Sequence, residues 1–478
     1  MKIFSISVLL LAALLFSGCG GSEDAFKPLG LHPQNPHYFI FRGKPSILIG
    51  STEHYGAVIN LDFDYVAYLD ELAASGLNVT RTFSGIYVEP AGAFNIEGNT
   101  LAPAFGRFIS PWARSNENGY ANGGNKFDLS AWDQSYFDRL KNFITEAGKR
   151  NIVVELDLFS NFYDTVQWKL SPLFYANNIN NVVKVKDHKE VLSLKHPELL
   201  EIQEKMVSKI VGELKDFDNL YYEICNEPYF GDTTALRLWE AHMTGIVADA
   251  EKDFPDKHLI SNNIANHHRA VGEPREGVSV YNFHYARPPV TVGMNYQLQK
   301  PIGDNETGFD GIHDATYRME AWNFILAGGA LFNHLDYSFT VGHEDGTFVF
   351  REGQPGGGGK NLRNQFRILS EVMETMDFIS MKPVDSEFVR LKGEDNKSIQ
   401  GLTEEGKVTV LYFSGRDTLS ARTEIDVNLQ PGSYSIRWID TRTGGETVND
   451  LKGHTGGRAV ITSPDYIQDI ALKIVKTN

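Results

Sequence analysis

Between residues 46 and 377 short apolar runs alternate with amphipathic stretches. Strand-like runs fall at 46–50 (SILIG), 77–83 (LNVTRTF), 152–158 (IVVELDL), 220–225 (LYYEIC), 258–262 (HLISN), 278–284 (VSVYNFH), 301–305 (PIGDN) and 330–337 (ALFNHLDY). Between them, 62–75, 131–149, 195–216, 233–252, 312–327 and 361–377 place apolar residues at helical spacing. The stretches after the fifth and sixth strands are short or irregular. Eight strand-then-helix units predict an α/β fold, a (β/α)8 TIM barrel, over 37–378. An open doubly wound sheet is the alternative. Residues 38–45 read as a leading hairpin that turns at Gly43. Three connections after strands are long, at 84–130, 159–194 and 338–360, and loops of that length are commonly functional. From about 380 the period shortens to two, with turns at Pro431-Gly432 and Gly444-Gly445. That pattern predicts a small antiparallel β-sandwich over 379–478.

The first residues follow neither pattern. Lys2 precedes a mostly apolar run, Ile3 to Phe16, which is too short to span a bilayer. It ends in Phe16-Ser17-Gly18-Cys19, small residues before a cysteine. This resembles a bacterial lipobox. The resemblance implies a signal peptide over 1–18, cleavage before Cys19 and acylation of its thiol. A plain secretory signal with a chance cysteine is the alternative. Residues 19–36 then read as a tether, flexible and acidic in Gly20–Asp24. The expected location is the cell envelope, lipid-anchored at the outer membrane and open to surface exposure.

Composition narrows the partners. The chain has 478 residues and a formal net charge of −16, with no Lys/Arg cluster, so no nucleic-acid footprint is present. An acidic surface also does not dock on anionic lipid by charge. Aromatic residues reach 12%, which suits either sugar-binding faces or a large aromatic core. Only Cys225 accompanies Cys19, so the mature fold has no disulfide staple. Protein partners are left open, and no cofactor is indicated.

The chemistry lies in two strings. Tyr222-Glu223-Ile224-Cys225-Asn226-Glu227-Pro228 closes the fourth strand with polar residues and a proline that cannot donate to a ladder. Pro301-Ile302-Gly303-Asp304-Asn305-Glu306-Thr307-Gly308 closes the seventh with a second carboxylate. Strands four and seven face each other across an eight-stranded barrel, so both carboxylates can converge on one sugar ring at the end where barrels do chemistry. Glycoside hydrolysis needs such a pair in unequal protonation states. The competing readings are a helix-start carboxylate for Glu227 and a loop carboxylate for Glu306.

Asn226-Glu227-Pro228 on strand four, with Glu306 on strand seven, resembles glycoside hydrolase clan A, the cellulase-like superfamily, over about 38–377. The resemblance implies that Glu227 is the acid/base, that Asn226 bonds the sugar 2-hydroxyl and that Glu306 is the nucleophile. It implies support of the nucleophile by Arg81 and a site-lining role for His284. Where many members carry a nucleophile-bonding Tyr two residues after that His, Ala286 stands here, and Tyr285 is the candidate substitute. The segment Trp438–Gly444 is similar to a sandwich often labelled collagen-binding in bacterial lipoproteins, a label that fixes no function.

The expected activity is therefore a retaining glycoside hydrolase acting on a poly- or oligosaccharide, with carbohydrate as partner. The alternatives are a surface glycan-binding lipoprotein with an inactive barrel, and a transglycosylase. Trp168 is a candidate sugar platform, Tyr87 and Tyr163 candidate subsite aromatics, and Asp336 with Tyr337 a strand-end sugar contact. Glu53 and His54 suit either substrate contact or a loop hydrogen-bonding role, and one of Glu155 and Asp157 is a candidate to line the site. The histidines lack metal-ligand spacing, so no catalytic metal is expected. No Gly-x-Ser-x-Gly elbow is present, which excludes that esterase class.

Overall fold

The computed structural model describes residues 27–393, 397–415 and 420–478. The signal segment and Cys19 lie outside the described residues. Eight parallel strands form the barrel: β1 (Leu48–Thr52), β2 (Val79–Phe83), β3 (Val153–Asp157), β4 (Leu220–Glu223), β5 (Ile260–Asn266), β6 (Val280–His284), β7 (Ile302–Thr307) and β8 (Leu331–Leu335). They hydrogen-bond in the order β1-β8-β7-β6-β5-β4-β3-β2, which is sequential around a ring. The seam between β1 and β2 is sewn by Asn78. Its backbone N–H donates to Ile49 O (3.1 Å), its side-chain oxygen accepts from Ile49 N (2.8 Å) and its amide donates to Ile47 O (2.8 Å). β5 runs past its expected end at 262 because a bulge between Asn263 and Ala265 lets it follow β6.

The helices are α1 (Tyr65–Ala74), α2 (Gln134–Lys149), α3 (Thr165–Leu170), α4 (Pro197–Leu214), α5 (Thr233–Ala250), α6 (Val290–Asn295), α7 (Asp314–Leu326) and α8 (Lys360–Glu374). Asp64, Asp133, Asp164 and Asp232 cap α1, α2, α3 and α5 by accepting from first-turn N–H groups. In α2 the buried face is Tyr136, Phe137, Leu140, Phe143, Ile144 and Ala147, a helical stripe laid on the barrel. Truncating a ring such as Phe143 to Ala there costs about 3–5 kcal/mol. After β5 no helix forms among the described residues 267–279, and α6 after β6 has only six residues.

Two readings change. Residues taken as tether pack from Leu29 onward: Leu29 is fully buried, its N–H donates to Asp218 O (2.9 Å), and Gly30–Leu31 pairs with Phe39–Phe41. The 84–130 connection is not structureless. Trp112–Asn118 and Asn125–Trp132 form a hairpin, with positive φ at Gly119, Gly123 and Gly124 in its turn. Tyr120 Oη donates to Leu170 O (2.8 Å), and Phe127 exchanges backbone bonds with Asn177 and Ile179, so this hairpin and the 159–194 loop brace each other.

The C-terminal sandwich packs a six-stranded sheet against a three-stranded one, Val389–Leu391, Glu424–Leu429 and Gly457–Thr462. It docks on α7. Trp322 stacks on Tyr412 (5.4 Å), and Arg318 forks onto Asp469 (3.0 and 2.5 Å). Among the described residues no helix is long and apolar enough to cross a membrane.

Candidate active site

A cavity of about 310 Å³ opens at the C-terminal ends of the strands. Glu227 reaches it from just past β4 with φ 51°, a left-handed conformation that is strained for a residue with a β-carbon. Its Oε2 accepts from Tyr163 Oη (2.5 Å), and its Oε1 from Tyr229 Oη (3.1 Å) and His284 Nδ1 (3.1 Å). Asn226 turns the other way, since the strand end twists. Its oxygen accepts from Arg81 (2.8 Å) and its amide donates to Tyr163 Oη (3.0 Å) and Ser160 Oγ (3.2 Å).

Glu306 comes from β7. A register slip between Phe283 and His284 sets His284 level with Glu306. Oε1 of Glu306 accepts from Tyr285 Oη (2.6 Å) and lies 3.4 Å from His284 Nδ1, while Oε2 accepts from Arg81 Nη1 (3.1 Å). One oxygen of Glu227, one of Glu306 and a His284 nitrogen all lie within 4.8 Å of one another. Burial opposes charge on Glu306, but His284, Arg81, the Tyr285 hydroxyl and His54 outweigh it and hold the carboxyl below its ordinary value. Burial likewise opposes charge on His284, and Glu306 and Glu227 reverse that, so its imidazole is raised.

Arg81 lies under this floor, stacked 4.6 Å from the Tyr55 ring. Besides Glu306 and Asn226 it bonds Glu155 (2.9 Å), Asp157 (2.8 and 2.9 Å) and Glu223 (2.8 Å). Glu155, Asp157 and Glu223 are close enough to chelate a cation, and so are Glu227, His284 and Glu306. In the lower group the guanidinium already supplies the positive charge. In the upper group both carboxylates already accept from tyrosine hydroxyls, and neither group carries the spacing motif of a known metal site.

This geometry accords with what is similar elsewhere. Residues 103–271 match the family model described as cellulase (glycosyl hydrolase family 5), a stretch that includes Asn226 and Glu227. Over those residues the barrel resembles a cellulase-like glycoside hydrolase, which supports glycosidase activity. No curated protein sequence matches the chain. A solved structure described as a glycoside hydrolase aligns over 94% of this chain and 97% of its own, at 14% identity and TM-score 0.63. A glycoside hydrolase family 5 structure from Bacteroides vulgatus aligns over 94% of both chains, at 14% identity and TM-score 0.62. A further structure from that organism covers 95% of this chain and 83% of its own, at 15% identity and TM-score 0.66. At such identity these likenesses speak for the fold, sandwich included.

The cavity gathers Glu227, Glu306, Asn226 and Tyr285, with Tyr87 and Tyr163 on its wall. Arg81 and His284 touch the carboxylates from beneath. Tyr285 does bond Glu306: its φ of 54° swings the ring to where a tyrosine one position later was expected. Three candidates fall elsewhere. Trp168 is 1% exposed, wedged edge-on between Phe162 and Phe174 with its indole N–H on Val185 O (3.0 Å), so it is loop core and not a sugar platform. Asp336 is buried against Arg363 (2.6 Å) and Ser51 (3.0 Å), where it anchors α8. Tyr337, too, is buried and does not line the cavity.

Other cavity residues escaped the sequence reading. Phe94, Phe230 and Phe309 line the mouth and are 40%, 44% and 37% exposed. Phe230 and Phe309 each follow a site glutamate by three residues, a legible signal, since an apolar residue in a loop at that offset has no core to enter. Tyr229, which bonds Glu227 without lining the cavity, follows that glutamate by two residues. Glu89 and Asn266 had no such signal.

Proposed function

We propose that the chain cleaves a β-glycosidic bond of a poly- or oligosaccharide with retention, with Glu306 as nucleophile and Glu227 as acid/base. The observation that carries this reading is the 4.8 Å limit on the Glu227–Glu306 approach. Retaining pairs stand about 5–5.5 Å apart, whereas inverting pairs leave room for a water at about 6.5–9.5 Å. The donors on Glu306 suit a nucleophile that must be ionised. Glu227 faces tyrosine hydroxyls that can yield to a leaving-group oxygen. Asn226, fixed by Arg81 and Ser160, is offered to the sugar 2-hydroxyl. The protein works from a lipid anchor at Cys19 in this reading, and Cys19→Ser should abolish incorporation of labelled palmitate.

In the test of the mechanism, Glu306→Gly loses turnover of every glycoside, and azide restores a product of opposite anomeric form. Glu227→Ala retains its first step on activated aryl glycosides, stalls as a glycosyl-enzyme, and is rescued by azide to a product of retained form. The Glu227→Ala loss is on the order of 10²–10⁴-fold without azide. An inverted first product from the wild type, read by NMR, excludes Glu306 as nucleophile.

A further inference from the structure

A third carboxylate lines the cavity without touching either of the first two. Glu89 comes from the loop after β2 and is buried at the cavity wall. Tyr87 Oη donates to its Oε1 (2.9 Å) and Asn99 donates to its Oε2. That fixes the carboxylate in place and leaves each oxygen with unused acceptor capacity. Beside it, His54 Nε2 stands 3.7 Å from Oε2, beyond hydrogen-bond length, and His54 Nδ1 is buried with no partner. Burial opposes charge on His54, and Glu89 and Glu306 reverse it, so its imidazole is raised. The cavity wall thus holds a carboxylate and an imidazole side by side, at ion-pair distance with no short hydrogen bond between them.

We propose that Glu89 and His54 form the specificity-determining pair of the pocket, reading a hydroxyl of a neutral sugar and rejecting a sugar that carries a carboxylate there. A hydroxyl donates and accepts at once, so it bonds Glu89 and His54 together. An ammonium group only donates and offers His54 no acceptor. A carboxylate only accepts and meets Glu89, Glu227 and Glu306 in a cavity of about 310 Å³. The inference rests on the catalytic reading above and extends it to the class of substrate, an uncharged sugar unit in place of a uronic acid. Leaving buried polar groups unpaired is what gives such sites large discrimination.

The experiment compares matched 4-nitrophenyl β-glycosides: glucoside with glucuronide, galactoside with galacturonide, and mannoside and xyloside alongside. The wild type should prefer the neutral member of each pair it accepts by roughly 10²-fold or more in kcat/KM. Glu89→Gln keeps an acceptor, loses the charge and gains a donor, and should shrink that preference at least about tenfold. A loop-bracing role alone lowers both members equally, so an unchanged ratio overturns the proposal. Should Glu89→Gln fail to fold, Glu89→Asp decides: retracting the carboxylate lowers neutral-sugar turnover about tenfold while the glycuronide stays rejected, and unchanged neutral turnover overturns the proposal. Glu306→Gly is run in parallel. If it stays active, the catalytic reading fails and takes this proposal with it. If it is dead and the Glu89→Gln ratio is unmoved, only the Glu89 proposal fails.

Discussion

Arg81 bonds four carboxylates, and Glu306 above it titrates in the opposite direction from Glu155 and Asp157 below it. Below, Glu155 is pushed up to about 7, first by burial and then by repulsion from Glu223, and Asp157 is raised for the same reasons. Above, Glu306 is just as buried and touches the same guanidinium, yet it is lowered. Burial therefore does not set the outcome, and neither does the arginine. The difference is the company. Glu306 also has His284, the Tyr285 hydroxyl and His54, while the lower carboxylates mostly face one another. One cation shared by four acids leaves Glu155 and Asp157 raised below it, and an independent set of donors holds Glu306 lowered above it.

Removing the shared cation breaks the comparison most severely. Arg81→Met leaves Glu155, Asp157 and Glu223 without a counter-charge in a dry interior, which costs about 3–5 kcal/mol. Glu306 loses a donor in the same change, so activity falls with stability. Thermal unfolding and kcat/KM on an aryl glycoside measure the two. A loss of stability under about 1 kcal/mol would mean that the belt neutralises itself by protonation and has no need of Arg81.

Tyr285→Phe touches only the upper side. Hydrogen bonds to charged groups are worth about 1.5–3 kcal/mol, so kcat/KM should drop roughly 10- to 100-fold. The sign of the pH effect follows from the lowered Glu306 value. Its ionised form persists as pH falls below the ordinary carboxyl range and is lost only on passing the depressed value. Without the hydroxyl that loss comes at higher pH, so the acid limb of the kcat/KM profile moves upward. A loss of rate with an unmoved acid limb would show that Tyr285 positions substrate and does not tune Glu306.

The upper side was largely legible in the chain. Glu227, Glu306, Asn226, Arg81 and His284 sit at strand ends, and strand order alone brings strand ends together. The eight strands were legible for the related reason that barrel strands are buried on both faces and read as apolar runs. The lower side was not. Glu155, Asp157 and Glu223 look like any polar residue interrupting a strand, and only the closed ring shows that they point at one arginine. Asn282 and Asn305 bond Glu223 inside the barrel, and Gly303 is small because a β-carbon there would meet the Asn282 oxygen at 2.3 Å. Trp168 and Asp336 misled for the opposite reason. Both follow strand ends, but a loop long enough to reach the site is long enough to need its own core, and Trp168 fills it. Tyr285 depended on a positive φ, which no periodicity carries.

Glu155→Gln has the smallest expected effect and tests the lower side most directly. With its folded value raised to about 7, Glu155 keeps its proton where an unfolded glutamate has lost it. The native chain therefore binds more protons than the unfolded one, and stability falls as pH rises from the ordinary carboxyl value through about 7. A glutamine mimics the protonated form. Its oxygen can accept from Arg81 and Asn305, and its amide can donate to Tyr221, so each partner of Glu155 keeps a complementary group. The variant should match the wild type near pH 5. Near pH 8 it should be more stable by on the order of 1 kcal/mol, since a shift of one unit is worth about 1.4 kcal/mol. Melting curves of both proteins across that range measure the difference. Parallel curves would place the charge on Glu155 at every pH and remove the contrast between the two sides of Arg81. A variant less stable than the wild type at pH 8 would mean that Arg81 draws on an ionised Glu155, with the missing proton held on Asp157.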